Sequence, residues 1–171
     1  AERLDQRSHG RVMARPVRLV HAAEPAEHGA MPLTDVPTPA LLLDKPRFTA
    51  NCARMLAHCR SLGVKLRPHM KTLKAYEAAL IARDGADGGV AASTLNEAEY
   101  WAGHGFSDIQ YAVCVTPDKL ERCAAILRKA PKFSFFLDSA ETAREVITYA
   151  RTHGAPFRVW IEVEKIGRAH V

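Results

Sequence analysis

The sequence lacks the marks of a membrane protein and of a zinc module. None of its apolar runs approaches the ~18 residues that suggest a membrane-spanning helix. It has 4 cysteines and no CxxC pair. Cys52 and Cys59 lie two turns apart on one face of a predicted helix, so we interpret both as small core side chains. This cysteine usage is typical of the reducing cytoplasm, where we place the protein.

Blocks of like charge are also missing. The net charge of +5 is spread along the chain and forms no long run of Lys or Arg. A spread of this kind favours a solvated charged surface, whereas it indicates an anionic ligand weakly and nucleic acid more weakly still. We therefore expect neither a nucleic-acid partner nor a membrane partner.

Both ends of the chain depart from the pattern of the middle. Residues 1–30 start without Met, show no periodicity and contain an apolar stretch too short for a signal peptide. We expect them to be disordered or a non-native leader. Residues 166–171 match the translation of a common sequencing adapter (ATC GGA AGA GCA CAC GTC), and we interpret them as an artefact. The predicted folded part is therefore 31–165, the beginning of a truncated gene product.

Two patterns alternate within that part. Short apolar, β-branched or aromatic runs recur about every 25 residues, which is the repeat of a (β/α)₈ barrel. Segments with helical spacing separate them, and Thr94-x-x-Glu97, Thr116-Pro117 and Ser139 are predicted helix starts. Repeated strand–helix–strand units predict parallel pairing with right-handed crossovers. The six predicted strands are 40–43, 64–68, 89–92, 109–113, 133–137 and 157–163.

The predicted fold is a partial (β/α)₈ TIM barrel in the α/β class, with about six of its eight strands present. A doubly wound open sheet is the rival. That fold carries a Gly-rich GxGxxG turn after its first strand, and Asp44-Lys45-Pro46 stands at this position instead. The missing turn favours the barrel.

The end of the second predicted strand carries the main candidate site. Side chains alternate along a strand, so Arg67, His69 and Lys71 share one face while Pro68 and Met70 share the other. Barrel enzymes place their chemistry at the C-terminal ends of strands. Cationic groups that face inward need an anionic partner, and an inward amine can attack a carbonyl to form a Schiff base. The alternative is a set of surface charges on a loop.

The ends of later strands provide weaker candidates. Ser93 and Thr94 follow the third predicted strand and could donate hydrogen bonds to a cofactor, but capping of the next helix explains Thr94 equally well. Asp138 and Ser139 follow the fifth predicted strand and have the same ambiguity. The sequence leaves both pairs open.

The segment Arg67-Pro-His-x-Lys-Thr72 resembles the lysine segment of the D-serine dehydratase and D-threonine aldolase family, whose N-terminal barrel is of the alanine racemase type. The resemblance extends over residues 38–164. It is supported by segments 38–44, 93–99 and 159–164, which are similar to a strand or helix of that family. Leu73 departs from the pattern, because many members have His there, and this leaves the subgroup open.

The resemblance implies a pyridoxal 5'-phosphate-dependent lyase that acts on a D-3-hydroxy amino acid through a Schiff base on Lys71. An amino-acid racemase is the alternative with the same fold, and a non-catalytic carrier of the cofactor is the alternative of another class. The implied catalytic residues are Lys71 and His69. The residues expected to contact the cofactor are Lys71, Arg67, Thr72, Ser93 and Thr94.

The resemblance also implies parts that this sequence does not contain. Family members hold a divalent metal, Mn or Zn, in a C-terminal β-domain, so no metal ligand is expected here. The full-length protein is expected to be a homodimer that takes a small-molecule D-amino acid. We expect the 171-residue chain to be inactive by itself, because a barrel closes only with all its strands.

Overall fold

The structure is a computed structural model that describes residues 32–40 and 42–163. The predicted leader at 1–30, the predicted artefact at 166–171 and Leu41 of the first predicted strand lie outside the described residues. Among the helices that are described, none is both long and apolar enough to span a membrane.

The described residues form one sheet of four parallel strands in the order β1-β2-β3-β4. Neighbours in space are therefore neighbours in sequence, with no reversal of strand order. A doubly wound sheet reverses its order at a switch point, whereas a barrel wall does not. The order confirms the predicted barrel type. The strands are β1 (Val90–Ala92), β2 (Ile109–Cys114), β3 (Ser134–Leu137) and β4 (Arg158–Ile161).

Helices precede and connect these strands, and two of the three predicted start signals act as helix caps, whereas the Thr116 side chain makes no cap hydrogen bond. Thr94 Oγ1 accepts a hydrogen bond from the N–H of Glu97 at 3.1 Å. Ser139 Oγ accepts one from Thr142 N–H at 3.1 Å, and Thr116-Pro117 opens a 3₁₀ turn. The helices are α1 (Lys45–Ser61), α2 (Tyr76–Ala82), α3 (Leu95–Gly103), α4 (Leu120–Lys129) and α5 (Ala140–His153).

The core lies between the helices and the outer face of the sheet. Trp101 of α3 is 1% exposed and meets Phe106 edge-on, with ring centroids 5.5 Å apart. Cys59 is buried and Cys52 packs against the core, as interpreted from the sequence. This apolar layer fixes the outer face of the sheet.

Two of the six predicted strands are wrong within the described residues. Residues 42–44 lead directly into α1, and residues 64–68 lie beside β1 without forming a strand. The second segment makes one isolated parallel bridge, His69 with Ala91, where Ala91 N–H donates to Pro68 O at 2.9 Å and Met70 N–H donates to Ala91 O at 3.1 Å. Pro68 has no N–H to donate and the chain turns after His69, so the ladder cannot extend.

Candidate functional site

Lys71 lies in a tight turn at the C-terminal end of the segment that pairs with β1. Lys74 N–H donates to Met70 O at 2.9 Å and closes the turn. Met70 is 3% exposed and packs into the core, while Lys71 and Thr72 are exposed. The predicted alternation of faces is therefore present, and it places the Lys71 amine on the open side at the strand ends.

His69 is held between Lys71 and Ser93. The backbone N–H of Lys71 donates to His69 Nδ1 at 3.4 Å, so the neutral ring carries its proton on Nε2. Nε2 lies 3.3 Å from Ser93 Oγ and can donate to it. Partial desolvation lowers the pKa of His69, the Lys71 charge lowers it further, and Glu97 opposes both. The net lowering of the pKa favours the neutral imidazole.

Glu97 joins this group from α3. Its side chain is 10% exposed and its Oε1 lies 2.9 Å from Lys74 Nζ, while Oε2 accepts the Ser93 N–H at 2.7 Å. Burial raises the pKa of Glu97, but hydrogen bonds from Lys74 and from backbone N–H groups outweigh burial and lower it. The sequence predicts only a capping box for Glu97, and that motif does not predict its ion pair with Lys74.

The hydroxyl groups of Ser93 and Thr94 have different hydrogen-bond partners. Thr94 uses its hydroxyl to cap α3, which is the explanation that the sequence left open. Ser93 directs its hydroxyl towards His69. Their contacts with a cofactor remain predictions, and Ser93 is the one placed beside the Lys71 turn.

Arg67 lies farther down the same face with protein partners of its own. Its Nη2 lies 2.8 and 3.0 Å from the two carboxylate oxygens of Asp108, and its Nη1 donates to Gln110 Oε1 at 3.1 Å. Asp108 directly precedes β2, so the pair is at the opposite end of the sheet from the Lys71 turn. The guanidinium has the anionic partner that an inward cation needs, and its role toward a cofactor stays a prediction.

A second polar group occupies the C-terminal ends of β2 to β4. Cys114 Sγ donates to Glu162 Oε2 at 3.1 Å. Desolvation, Glu162 and Asp138 raise the pKa of Cys114 to about 12, so the thiol stays protonated and is a poor nucleophile. Within residues 32–40 and 42–163, no cluster of His, Cys, Asp or Glu is suited to hold a metal ion.

The geometry of the strand ends can be compared with known proteins. The family model described as alanine racemase, N-terminal domain, matches residues 43–168. The chain belongs to this family. The match and the strand order together confirm the predicted partial barrel of the alanine racemase N-terminal type.

Two curated relatives and one solved structure show the same likeness. The chain is 36% identical over 135 residues to the D-threo-3-hydroxyaspartate dehydratase of Delftia sp. (strain HT23), covering 79% of this chain and 36% of the relative. It is 28% identical over 123 residues to the D-serine dehydratase of Dictyostelium discoideum, covering 69% and 31%. The crystal structure of D-threonine aldolase from Filomicrobium marinum matches with a TM-score of 0.70 at 29% identity, covering 77% and 36%.

These likenesses confirm the resemblance to the dehydratase and aldolase group. The coverage also shows that the chain corresponds to only part of such a protein. The chain spans about a third of the length of the curated relatives it matches.

Proposed function

We propose that the full-length protein is a pyridoxal 5'-phosphate-dependent lyase that acts on a D-3-hydroxy amino acid, with the cofactor held as a Schiff base on Lys71. The observation that carries the proposal is the exposed Lys71 at the strand ends, with His69 Nδ1 beside it accepting the Lys71 backbone N–H. The names of the relatives, a dehydratase of D-serine and one of a D-hydroxyaspartate, support the reaction class.

The described residues fit the aldehyde end of this cofactor. A primary amine is the group that an aldehyde bonds, and Lys71 is solvent-accessible on the open face of the sheet. The phosphate end has no assigned partner here, because barrels often build that site from loops after strands seven and eight. When bound, the cofactor supplies an electron sink for charge that develops on the substrate.

The neighbouring side chains orient the Lys71 turn. His69 Nδ1 accepts the backbone N–H of Lys71, and Nε2 can donate a hydrogen bond to Ser93 Oγ, which lies 3.3 Å away. Ser93 and Thr72 stay in the proposed cofactor site, since one contacts His69 and the other follows Lys71 in the turn. Arg67 enters only as a prediction, because its guanidinium is bound to Asp108.

Peptide mapping tests the assignment of Lys71. The full-length protein is reduced with borohydride in the presence of the cofactor and digested, and we expect the phosphopyridoxyl group on Lys71. Lys71→Arg should abolish the label, and the matched control Lys65→Arg, six residues earlier on the same segment, should keep it. A label on Lys65 or Lys74 in the unaltered protein would refute the proposal.

Product analysis separates the lyase from its alternatives. We expect pyruvate from D-serine or glycine from D-threonine, with loss of activity after chelation of the divalent metal, Mn or Zn, that the family resemblance places in the C-terminal domain. Interconversion of enantiomers without cleavage would instead identify a racemase. Bound cofactor without turnover of any D-amino acid would identify a carrier. The homodimer and the cytoplasmic location belong to the same proposal and are tested by solution size and by fractionation.

A further inference from the structure

The Glu97 carboxylate is connected to the Lys71 turn by two separate routes. The first runs through a side chain of the turn itself. Glu97 Oε1 lies 2.9 Å from Lys74 Nζ, and the N–H of Lys74 closes the turn on Met70 O at 2.9 Å. Lys71 lies between these two ends of the turn, so its backbone is held from one side by Glu97.

The second route runs through the end of β1. Glu97 Oε2 accepts the backbone N–H of Ser93 at 2.7 Å, and Ser93 Oγ lies 3.3 Å from His69 Nε2. The opposite ring nitrogen of His69 accepts the N–H of Lys71 at 3.4 Å. The two routes meet at Lys71, and the single carboxylate of Glu97 is common to both.

Two features distinguish this carboxylate from a surface charge. Lys74 adopts φ 46°, a left-handed conformation that a residue with a side chain avoids unless its surroundings impose it. The Glu97 side chain is 10% exposed, although its partner Lys74 is 52% exposed, so the carboxylate is largely desolvated and depends on Lys74 and the Ser93 N–H for its polar contacts. Glu99, two residues further along α3, offers the contrast: its pair with Arg122 has the same 2.9 Å separation, but the two side chains are 44% and 47% exposed.

We propose that Glu97 is a positioning residue, which holds the Lys71 turn and the His69 ring in the orientation that binds the cofactor. The inference rests on the proposed function, because it concerns the cofactor that Lys71 would hold. Glu97 itself acts through Lys74 and Ser93 and need not touch the cofactor. Neither the family match nor the relatives' names assign it this role.

The test compares Glu97→Gln with the control Glu99→Gln in the full-length protein. Three quantities are measured: the dissociation constant of pyridoxal 5'-phosphate, the rate at which borohydride traps it on Lys71, and hydrogen exchange of the Lys74 amide. We expect Glu97→Gln to weaken binding about tenfold to a hundredfold, the usual effect of losing a hydrogen bond to a charged group. Trapping should slow and amide exchange should accelerate, while Glu99→Gln changes none of the three.

A second pair of variants covers the case in which Glu97→Gln fails to fold. Lys74→Met removes the ion pair and should reproduce the weaker binding, whereas Lys74→Arg keeps a cation near Glu97 and should restore most of it. Equal behaviour of Glu97→Gln and Glu99→Gln, with the label on Lys71, would overturn the positioning role alone. A label on Lys65 in the unaltered protein would overturn the proposed function and this inference together.

Discussion

The ion pair between Arg67 and Asp108 offers a direct test of how the inner face of the sheet is stabilised. We consider Arg67→Met, which keeps an unbranched apolar stem and removes the guanidinium. The two side chains are 31% and 21% exposed. Breaking a buried pair costs about 3–5 kcal/mol and breaking a surface pair about 0–1 kcal/mol. Partial exposure places this pair between them, so we expect a loss of about 2 kcal/mol.

The assay is urea unfolding of the full-length protein, followed by tryptophan fluorescence, to which the buried Trp101 contributes. Asp108→Asn removes the charge of the partner and should cost about the same, because both variants break the same pair. The control is Arg47→Met: its pair with Asp44 is 3.7 Å long and 80% and 57% exposed, so its loss should be within about 0.5 kcal/mol.

Two results would refute the reasoning. An Arg67→Met protein as stable as Arg47→Met would show that the pair contributes nothing. Loss of cofactor from Arg67→Met but not from Asp108→Asn would show that the guanidinium binds the cofactor, as the sequence alone suggested. The two variants are therefore informative together, since only one of them removes the guanidinium.

The remaining predictions concern titration of the site. Glu97→Gln should lower the pKa of His69 further and Lys71→Met should raise it, because the two charges act in opposite directions; NMR titration of the ring measures both, and shifts of the reverse sign would contradict the geometry. The pKa of Glu97 is lowered on folding, so its contribution to stability is present above the ordinary value of 4.5 and is lost as pH falls through the folded pKa. Acid unfolding of Glu97→Gln should show a shallower loss in that window. Cys114, with its pKa raised to about 12, should resist alkylation at pH 8, and Glu162→Ala should speed the reaction.

Local signals determined much of the fold before any contact was known. The four strands β1 to β4 are apolar runs of the expected spacing, and Thr94 and Ser139 cap the helices that they were predicted to start. Alternation also places Met70 in the core and Lys71 on the open face. These features depend on residues close in sequence, through side-chain periodicity and backbone hydrogen bonding, and so a single sequence displays them.

Contacts between distant residues were decided only by the tertiary structure. Arg67 pairs with Asp108, which lies 41 positions away in sequence. The Glu97 carboxylate of α3 pairs with Lys74 of the turn. The periodicity of the sequence predicts neither pair. Pro68 shows the same limit. Val64 and Leu66 before it predict a strand, while its missing N–H matters only once β1 lies beside it. The effect of a charged side chain or a hydrogen-bond donor on stability depends on the partner that folding brings next to it. The sequence therefore determined which side chains face the site, and the packing of α3 and β2 against that segment decided what holds them.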